Sequence, residues 1–277
     1  MNFVSGTTEL ANLIPEIWSP ITYQELRNKL IFADVFERTY EGSLQNMGDT
    51  VKVNQIVAPT GEILTDDKQE FASETMQVNQ FNIVVNKRAS ASFEITDLAM
   101  LQSQAFEAEA QESLVYAIRK QIEEDLIAEL AASATLTDNP TAASDLAAVD
   151  MARLRTTMST NKVPTSRRFF IAAPSYIGDL ITKQQIASRD YVPAGSPTTT
   201  GAISEPLYGF TMIEHDLLSA DLGYALHPSC LQMVMQQGLR IKVSDLHSNN
   251  KYGFLISADI VYGFNTFDSN RYIQMSG

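Results

Sequence analysis

Residues 48–87 constrain this 277-residue chain more than any other stretch. Two arms that alternate apolar and polar residues flank a polar tip, the pattern of an antiparallel hairpin. On the outward arm Val51 and Val53 alternate with polar neighbours, then the phase slips and Ile56 follows. On the return arm Met76 and Val78 keep one phase, and Phe81, Ile83 and Val85 the other. A slip in each arm predicts a bulge or a strong local twist. The tip runs from Pro59 to Glu74, and residues 61–74 hold five acids against one base, Lys68, for a net charge of −4. Arms of about 18 extended residues would reach roughly 60 Å at about 3.4 Å per residue. A compact chain of this length has a radius of gyration of only about 19 Å. The hairpin is therefore expected to project beyond the body. An isolated two-stranded hairpin is marginal in water, so it needs a surface to lie on, and a neighbouring subunit is the simplest one.

Before the hairpin, Pro15 and Pro20 bracket Glu16, Ile17, Trp18 and Ser19, and the residue preceding each proline is pushed to extended geometry. Tyr23, Leu26, Leu30 and Ala33 then predict a helix over 22–36, with Thr22 and Glu25 at capping-box spacing. Beyond the hairpin, residues 96–132 read as a short helix followed by a long one. Leu114, Ile118, Ile122, Leu126 and Leu130 lie four apart, a row that drifts about 40° per step around the helix. Residues 104–132 carry seven acids and two bases. After Asp138-Asn139-Pro140, a smaller α/β unit is predicted. It contains a helix over 145–160 (Leu146, Val149, Leu154, Met158), a strand over 167–173, and a helix capped by Ser175 that runs to about 187. Residues 188–202, rich in Ser, Pro, Thr and Gly, read as a loop. Strands are expected near 207–213, 223–235 and 239–246, and a last alternating strand over 251–264.

Composition narrows the function classes. With 33 acids against 20 bases the net charge is −13, which argues against a polybasic nucleic-acid binder. A 44% hydrophobic content argues against disorder. The single cysteine, Cys230, rules out an internal disulfide framework and a cysteine zinc site. No signal peptide is read at the start. The longest charge-free run, 222–239, holds too many polar groups for a bilayer span, so no membrane partner is expected.

The chemistry-bearing residues do not assemble into a reaction centre. There is no glycine-rich phosphate loop, no GxSxG elbow and no HExxH. Glu214-His215-Asp216 reads as a polar turn after a strand, because adjacent strand residues face opposite ways. His227 and Cys230 read as buried structural residues, and Arg167-Arg168 as partners of nearby acids. Lys68 could form an isopeptide bond to a neighbour's Asn beside a buried Glu. The sequence identifies no such partner, and a solvated charge or an intersubunit salt bridge is the plainer reading. No catalytic residue, cofactor or metal is expected. Trp18, Asp66, Asp67, Lys68 and Glu70 are the candidate subunit-interface residues.

The order of parts resembles a tailed-phage major capsid protein. The resemblance is carried by Ile14-Pro15-Glu16-Ile17-Trp18, by Gly48-Asp49-Thr50-Val51-Lys52-Val53 opening the hairpin, and by Asn86-Lys87-Arg88-Ala89-Ser90 leaving it for a long helix. Phe170-Ile171-Ala172-Ala173-Pro174, Leu207-Tyr208-Gly209-Phe210, Ala225-Leu226-His227-Pro228 and the closing strand 251–264 are similar to that family too. It implies an α+β chain with the Hong Kong 97 phage-type capsid fold. The implied parts are an N-terminal arm (1–43), an extended loop (44–87), a peripheral domain with a spine helix (88–135 with 250–277) and an axial domain (136–249). The implied function is a self-assembling shell of pentamers and hexamers, icosahedral, around double-stranded DNA. The implied partners are further copies of the chain, a portal protein, and a separate scaffolding protein, since the chain begins almost at the arm. Assembly would take place in the host bacterial cytoplasm, and the mature location is the virion capsid. Two alternatives stand beside this: an encapsulin-like compartment around a protein cargo, and, from another class, a small-molecule enzyme with a polar pocket in 136–249.

Overall fold

The hairpin strands pair in strict register. In the computed structural model β1 (Thr50–Ile56) runs antiparallel to β2 (Val78–Val84), from Thr50 opposite Val84 to Ile56 opposite Val78 without interruption. The predicted bulge is absent, and each paired arm is seven residues, not about 18. The model describes residues 30–40, 50–66, 70, 73–96, 106–140, 146–183, 203, 206–247 and 251–277. Trp18, Asp67, Lys68, the Thr22 cap and the loop 188–202 lie outside them.

The remaining elements, in chain order, are α1 (Phe32–Val35) before the hairpin, then β3 (Lys87–Thr96), α2 (Phe106–Ala132), β4 (Thr137–Asp138), α3 (Ala148–Thr160), β5 (Phe169–Ala172) and α4 (Pro174–Thr182). They continue with β6 (Thr211–Glu214), β7 (Leu222–Leu226), β8 (Leu231–Asp245), β9 (Gly253–Thr266) and β10 (Tyr272–Ser276). Several expectations are corrected. The segment after the hairpin enters a ten-residue strand, β3, before any helix. The strand expected over 223–235 is broken by a 3₁₀ turn at Pro228–Cys230, because proline cannot donate to a ladder, and the part beyond it is continuous with 239–245 as β8. α4 starts at Pro174, which suits the first helical position, and Ser175 does not cap it: its hydroxyl accepts from Asp221 N at 3.0 Å. On α3, Leu154 and Met158 are buried but Val149 is 59% exposed.

The chain divides into two compact units, and β3, α2, β8 and β9 each contribute residues to both. The first unit includes residues 91–117 and 241–258. Here Lys251 Nζ meets Glu94 at 2.6 Å, and Leu246 N donates to Gly253 O across the turn at 2.9 Å. Gly253 has φ +146°, and a Cβ there would lie 2.2 Å from the Ile95 carbonyl oxygen, so only glycine fits.

The second unit includes residues 28–90, 118–240 and 259–277. Its five-stranded sheet has the order β4-β10-β7-β5-β6, with β5 parallel to β6 and antiparallel to β7. Met151, Leu154 and Met158 of α3 and Tyr176, Ile177 and Leu180 of α4 share one core with Phe170, Ala225, Ile273 and Met275 of this sheet. Along α2 the predicted row is buried, with Leu114, Ile118, Ile122, Leu126 and Leu130 all at most 4% exposed. Two polar groups of α2 are tied down as well. Asp125 accepts from Tyr262 Oη at 2.7 Å and from Lys87 Nζ at 3.2 Å, and Leu130 O accepts from Tyr272 Oη at 3.0 Å. Burial would raise the Asp125 pKa, but these hydrogen bonds outweigh it and hold the carboxyl below its usual range.

Candidate assembly interface

The hairpin has two halves of different character. At its base Val51 and Ile83 are buried opposite each other and pack with Val85 and Val234. Val53 and Phe81 form the next pair outward, and the Phe81 ring stacks on Phe267 with centroids 5.2 Å apart. Further out, residues 54–66, 70 and 73–80 are all exposed. The apolar residues there have changed face: Ile56 pairs with Val78 on the side opposite to Val51 and Ile83, and they are 65% and 44% exposed. The phase slip seen in the sequence is thus a change of buried face in an unbroken ladder. One face serves the chain's own core, and the other is exposed among the described residues.

Beyond the strands the ladder continues with Val57 N donating to Gln77 O at 3.0 Å, and Thr60 N donates to the Glu74 carboxylate at 3.1 Å. Asp66 and Glu70 are exposed, as expected of a charged tip. The tip is not purely polar, for it also presents Ile63 at 88% and Leu64 at 46% exposure.

The segment leading to the hairpin is held by a buried carboxylate that sequence reasoning did not single out. Glu123, on α2, is 1% exposed and accepts from the backbone N–H groups of Phe32 at 2.9 Å and Ala33 at 3.0 Å. Its Oε2 lies 3.4 Å from Nε2 of the fully buried His215, whose ring packs on Phe32 with centroids 5.0 Å apart. Glu123 thereby serves the unpaired N–H groups that open α1 and joins that turn to α2 and to the turn after β6. Two residues downstream of α1, the Glu37 backbone bridges to Gln232, and its side chain accepts from Gln232 Nε2 at 3.1 Å. The polar-turn reading of 214–216 is corrected in part: Glu214 closes β6 and the turn begins at Asp216; Glu214 and Asp216 are exposed, whereas His215 turns inward.

The other candidates are structural. The His227 ring nitrogen Nδ1 sits 2.7 Å from Ser229 Oγ, and burial pushes the His227 pKa down. Cys230 is fully buried and its thiol pKa is raised by that burial. Arg167 lies 3.6 Å from Glu37, but Arg168 does not seek an acid: it donates to the Pro164 and Val163 carbonyls at 2.8 and 2.7 Å. Among the described residues no cluster of metal-ligating side chains occurs, and no helix is long and apolar enough to cross a membrane.

The two-stranded hairpin, the long helix α2, the three-stranded sheet of β3, β9 and β8, and the five-stranded sheet with α3 and α4 together fit the Hong Kong 97 phage-type capsid fold. Solved structures agree. The chain superposes on a structure from Mycobacterium phage Che8 with a TM-score of 0.81 at 21% identity, covering 95% of this chain and 97% of that one. The capsid of cyanophage P-SCSP1u gives 0.78 at 13% identity over 96% and 94% of the two chains, and the mature capsid of bacteriophage PhiM1 gives 0.73 at 14% over 100% and 96%. No curated protein matches the chain. The phage capsid protein family matches residues 79–233, more than half of the chain, and the chain belongs to that family. Family and fold both indicate a structural role, as a capsid component of the tailed-phage type.

Proposed function

We propose that this chain is the repeating subunit of a closed icosahedral shell, built from pentamers and hexamers, that encloses double-stranded DNA without binding it sequence-specifically. The observation that carries the reading is the distal hairpin. Ile56, Ile63 and Met76 are each at least 65% exposed in the single chain, on a segment far too thin to have a core of its own. Covering large apolar side chains stabilises by about 1.5–3 kcal/mol each, and a second subunit is the surface that does so in every repeat of a shell. The acidic tip, with Asp66, Asp67, Lys68 and Glu70, makes ion pairs with a neighbour, and Trp18 packs against one as well. In this reading 1–43 is the arm, 44–87 the extended loop, 88–135 with 250–277 the peripheral domain and 136–249 the axial domain. The net charge of −13 suits a container, since a basic inner wall would hold packed DNA fast. A separate scaffolding protein guides assembly in the host bacterial cytoplasm, and a portal protein occupies one vertex.

The test is negative-stain imaging of the purified chain, alone and co-expressed with its scaffolding protein. Shells, tubes, or five- and six-membered rings are expected. A chain that stays monomeric under every assembly condition, with its hairpin ordered, overturns the reading.

A further inference from the structure

The five-stranded sheet of the second unit is charged oppositely at its two ends. One end is marked by Phe169 of β5, Thr211 of β6, Leu226 of β7 and Tyr272 of β10, which lie in register. The other is marked by Ala172, Glu214, Gly223 and Met275. At the first end, residues 155–168 bring four bases and no acid in a chain whose net charge is −13, although Arg167 is paired with Glu37 at 3.6 Å and Arg168 is buried. Arg155, Lys162 and Arg167 of that run are exposed. Lys162 and Arg167 both adopt left-handed backbone conformations, at φ 60° and 55°, in the turn that leads from α3 into β5. At the second end Glu214 and Asp216 are exposed and Asp221 is half-buried, within a run, 214–221, that has no Lys or Arg. Arg155, Lys162, Glu214 and Asp216 have no ion-pair partner among the described residues.

One buried group lies near each end of the sheet. At the first end the His227 pKa is lowered by burial, and the charges of Arg271, Arg167 and Arg168 push it further the same way against Glu37. At the second end the Tyr176 hydroxyl is pushed up to about 12 by burial and then by the carboxylates of Asp221, Asp179 and Asp150. The end-marking residues of β5 are three steps apart, about 10 Å of strand, so the two fields are not screened into one at physiological salt.

We propose that the basic end of one copy, at Arg155 and Lys162, seats against the acidic end of the next, at Glu214 and Asp216, and that this head-to-tail contact closes the subunits into rings. The inference rests on the shell reading above and names the surface that chain copies share within a ring. Chains of −13 repel one another as a whole, so a productive encounter needs opposite patches that face each other. A patch that meets a different patch on an identical neighbour is a heterologous contact, which generates a closed ring when the rotation closes.

The test reverses the charges in pairs on exposed positions. Arg155→Glu with Lys162→Glu, and separately Glu214→Lys with Asp216→Lys, should each lower the yield of closed particles about tenfold, by placing like charges in contact. The four substitutions together restore opposite charges with inverted polarity, and should recover most of the yield. Assembly of the unaltered chain should also slow as salt is raised. Unchanged yield from either pair overturns the inference. So does a four-fold variant that melts like the unaltered chain but assembles no better than the pairs. Loss of packaged nucleic acid with normal particle number, from the Arg155/Lys162 pair, would assign the basic end to DNA and overturn it too. Absence of any particle from the unaltered chain would instead remove the shell reading on which it rests.

Discussion

The base and the distal half of the hairpin share one hydrogen-bonded ladder, yet they are held by different means. At the base, Val51 and Ile83 are buried on the chain's own core, and Phe81 leans on Phe267. Five residues beyond Val51 along β1, Ile56 is 65% exposed beside Val78 on the other face. Backbone pairing alone does not stabilise a two-stranded ribbon in water, so in the proposed reading the distal half is covered by a neighbouring subunit. In that reading the base makes the subunit and the distal half makes the assembly. Substitutions in the two halves are therefore expected to fail differently.

The largest effect on the subunit is expected at the base. Ile83 is fully buried, and Ile83→Ala removes its packing and leaves a cavity beside Val51 and Val234. A loss of about 2–5 kcal/mol is expected, read from the denaturant midpoint of the unassembled chain. A loss under about 1 kcal/mol would mean that the base, too, relies on a neighbour.

A somewhat smaller effect is expected at the anchor of the preceding turn. Glu123→Ala leaves the Phe32 and Ala33 amides without their acceptor, and a buried unsatisfied N–H costs about 1–3 kcal/mol. Hydrogen exchange of these two amides should accelerate by more than the fall in global stability explains, which a plain cavity would not produce. Equal acceleration throughout the chain would reduce Glu123 to a packing residue.

A third effect is pH-dependent. Asp259 accepts from Arg240 Nε at 2.9 Å and from Arg88 Nε at 3.0 Å. The Arg240 hydrogen bonds, against burial and with help from Arg88, bring its pKa down to about 2 from 3.8. A depressed carboxylate contributes its full stability above its unfolded value and loses it as pH falls through the folded one. The gap in denaturation midpoint between the unaltered chain and Asp259→Asn should therefore be constant above pH 5 and shrink from about pH 4 down to about 2. A gap independent of pH would show that the two arginines do not act through the charge of Asp259.

Much of this was legible in the amino-acid order. The four-residue row on α2 marked the buried side of the long helix, because leucine and isoleucine at that spacing must be covered. The hairpin was legible too, although the phase slip was a change of face and not a bulge. β3 was overlooked despite an alternation of Ala89, Ala91, Phe93 and Ile95 with polar residues, because alanine is a weak apolar signal and a helix was expected to follow at once. β10 gave little warning: Tyr272, Ile273 and Met275 are all buried, since the strand lies between β4 and β7 and does not alternate cleanly. The Glu123 anchor was not legible at all. Its amide partners lie some 90 residues away in sequence, and nothing in a glutamate on a charged helix shows that it turns inward.

The smallest effect on the subunit, and the sharpest test of the comparison, belongs to the distal half. Ile56→Ser with Val78→Ser replaces two exposed apolar side chains that pair with each other and touch no core of the chain. Exposed substitutions away from special features usually stay within about 0.5 kcal/mol, so the denaturant midpoint should hardly move. Assembly should suffer all the same. The transfer energy forfeited at one contact is modest, about 1.5–3 kcal/mol per side chain at most, but a shell repeats the contact at every subunit. Particle yield should therefore fall steeply while the free subunit melts as before. Were the pair to destabilise the free subunit as strongly as Ile83→Ala, the distal half would belong to the chain's own core after all. Were it to leave both stability and particle yield untouched, the exposed face would be no interface, and the covering surface would have to be sought at Ile63, Leu64 and Met76 nearer the tip.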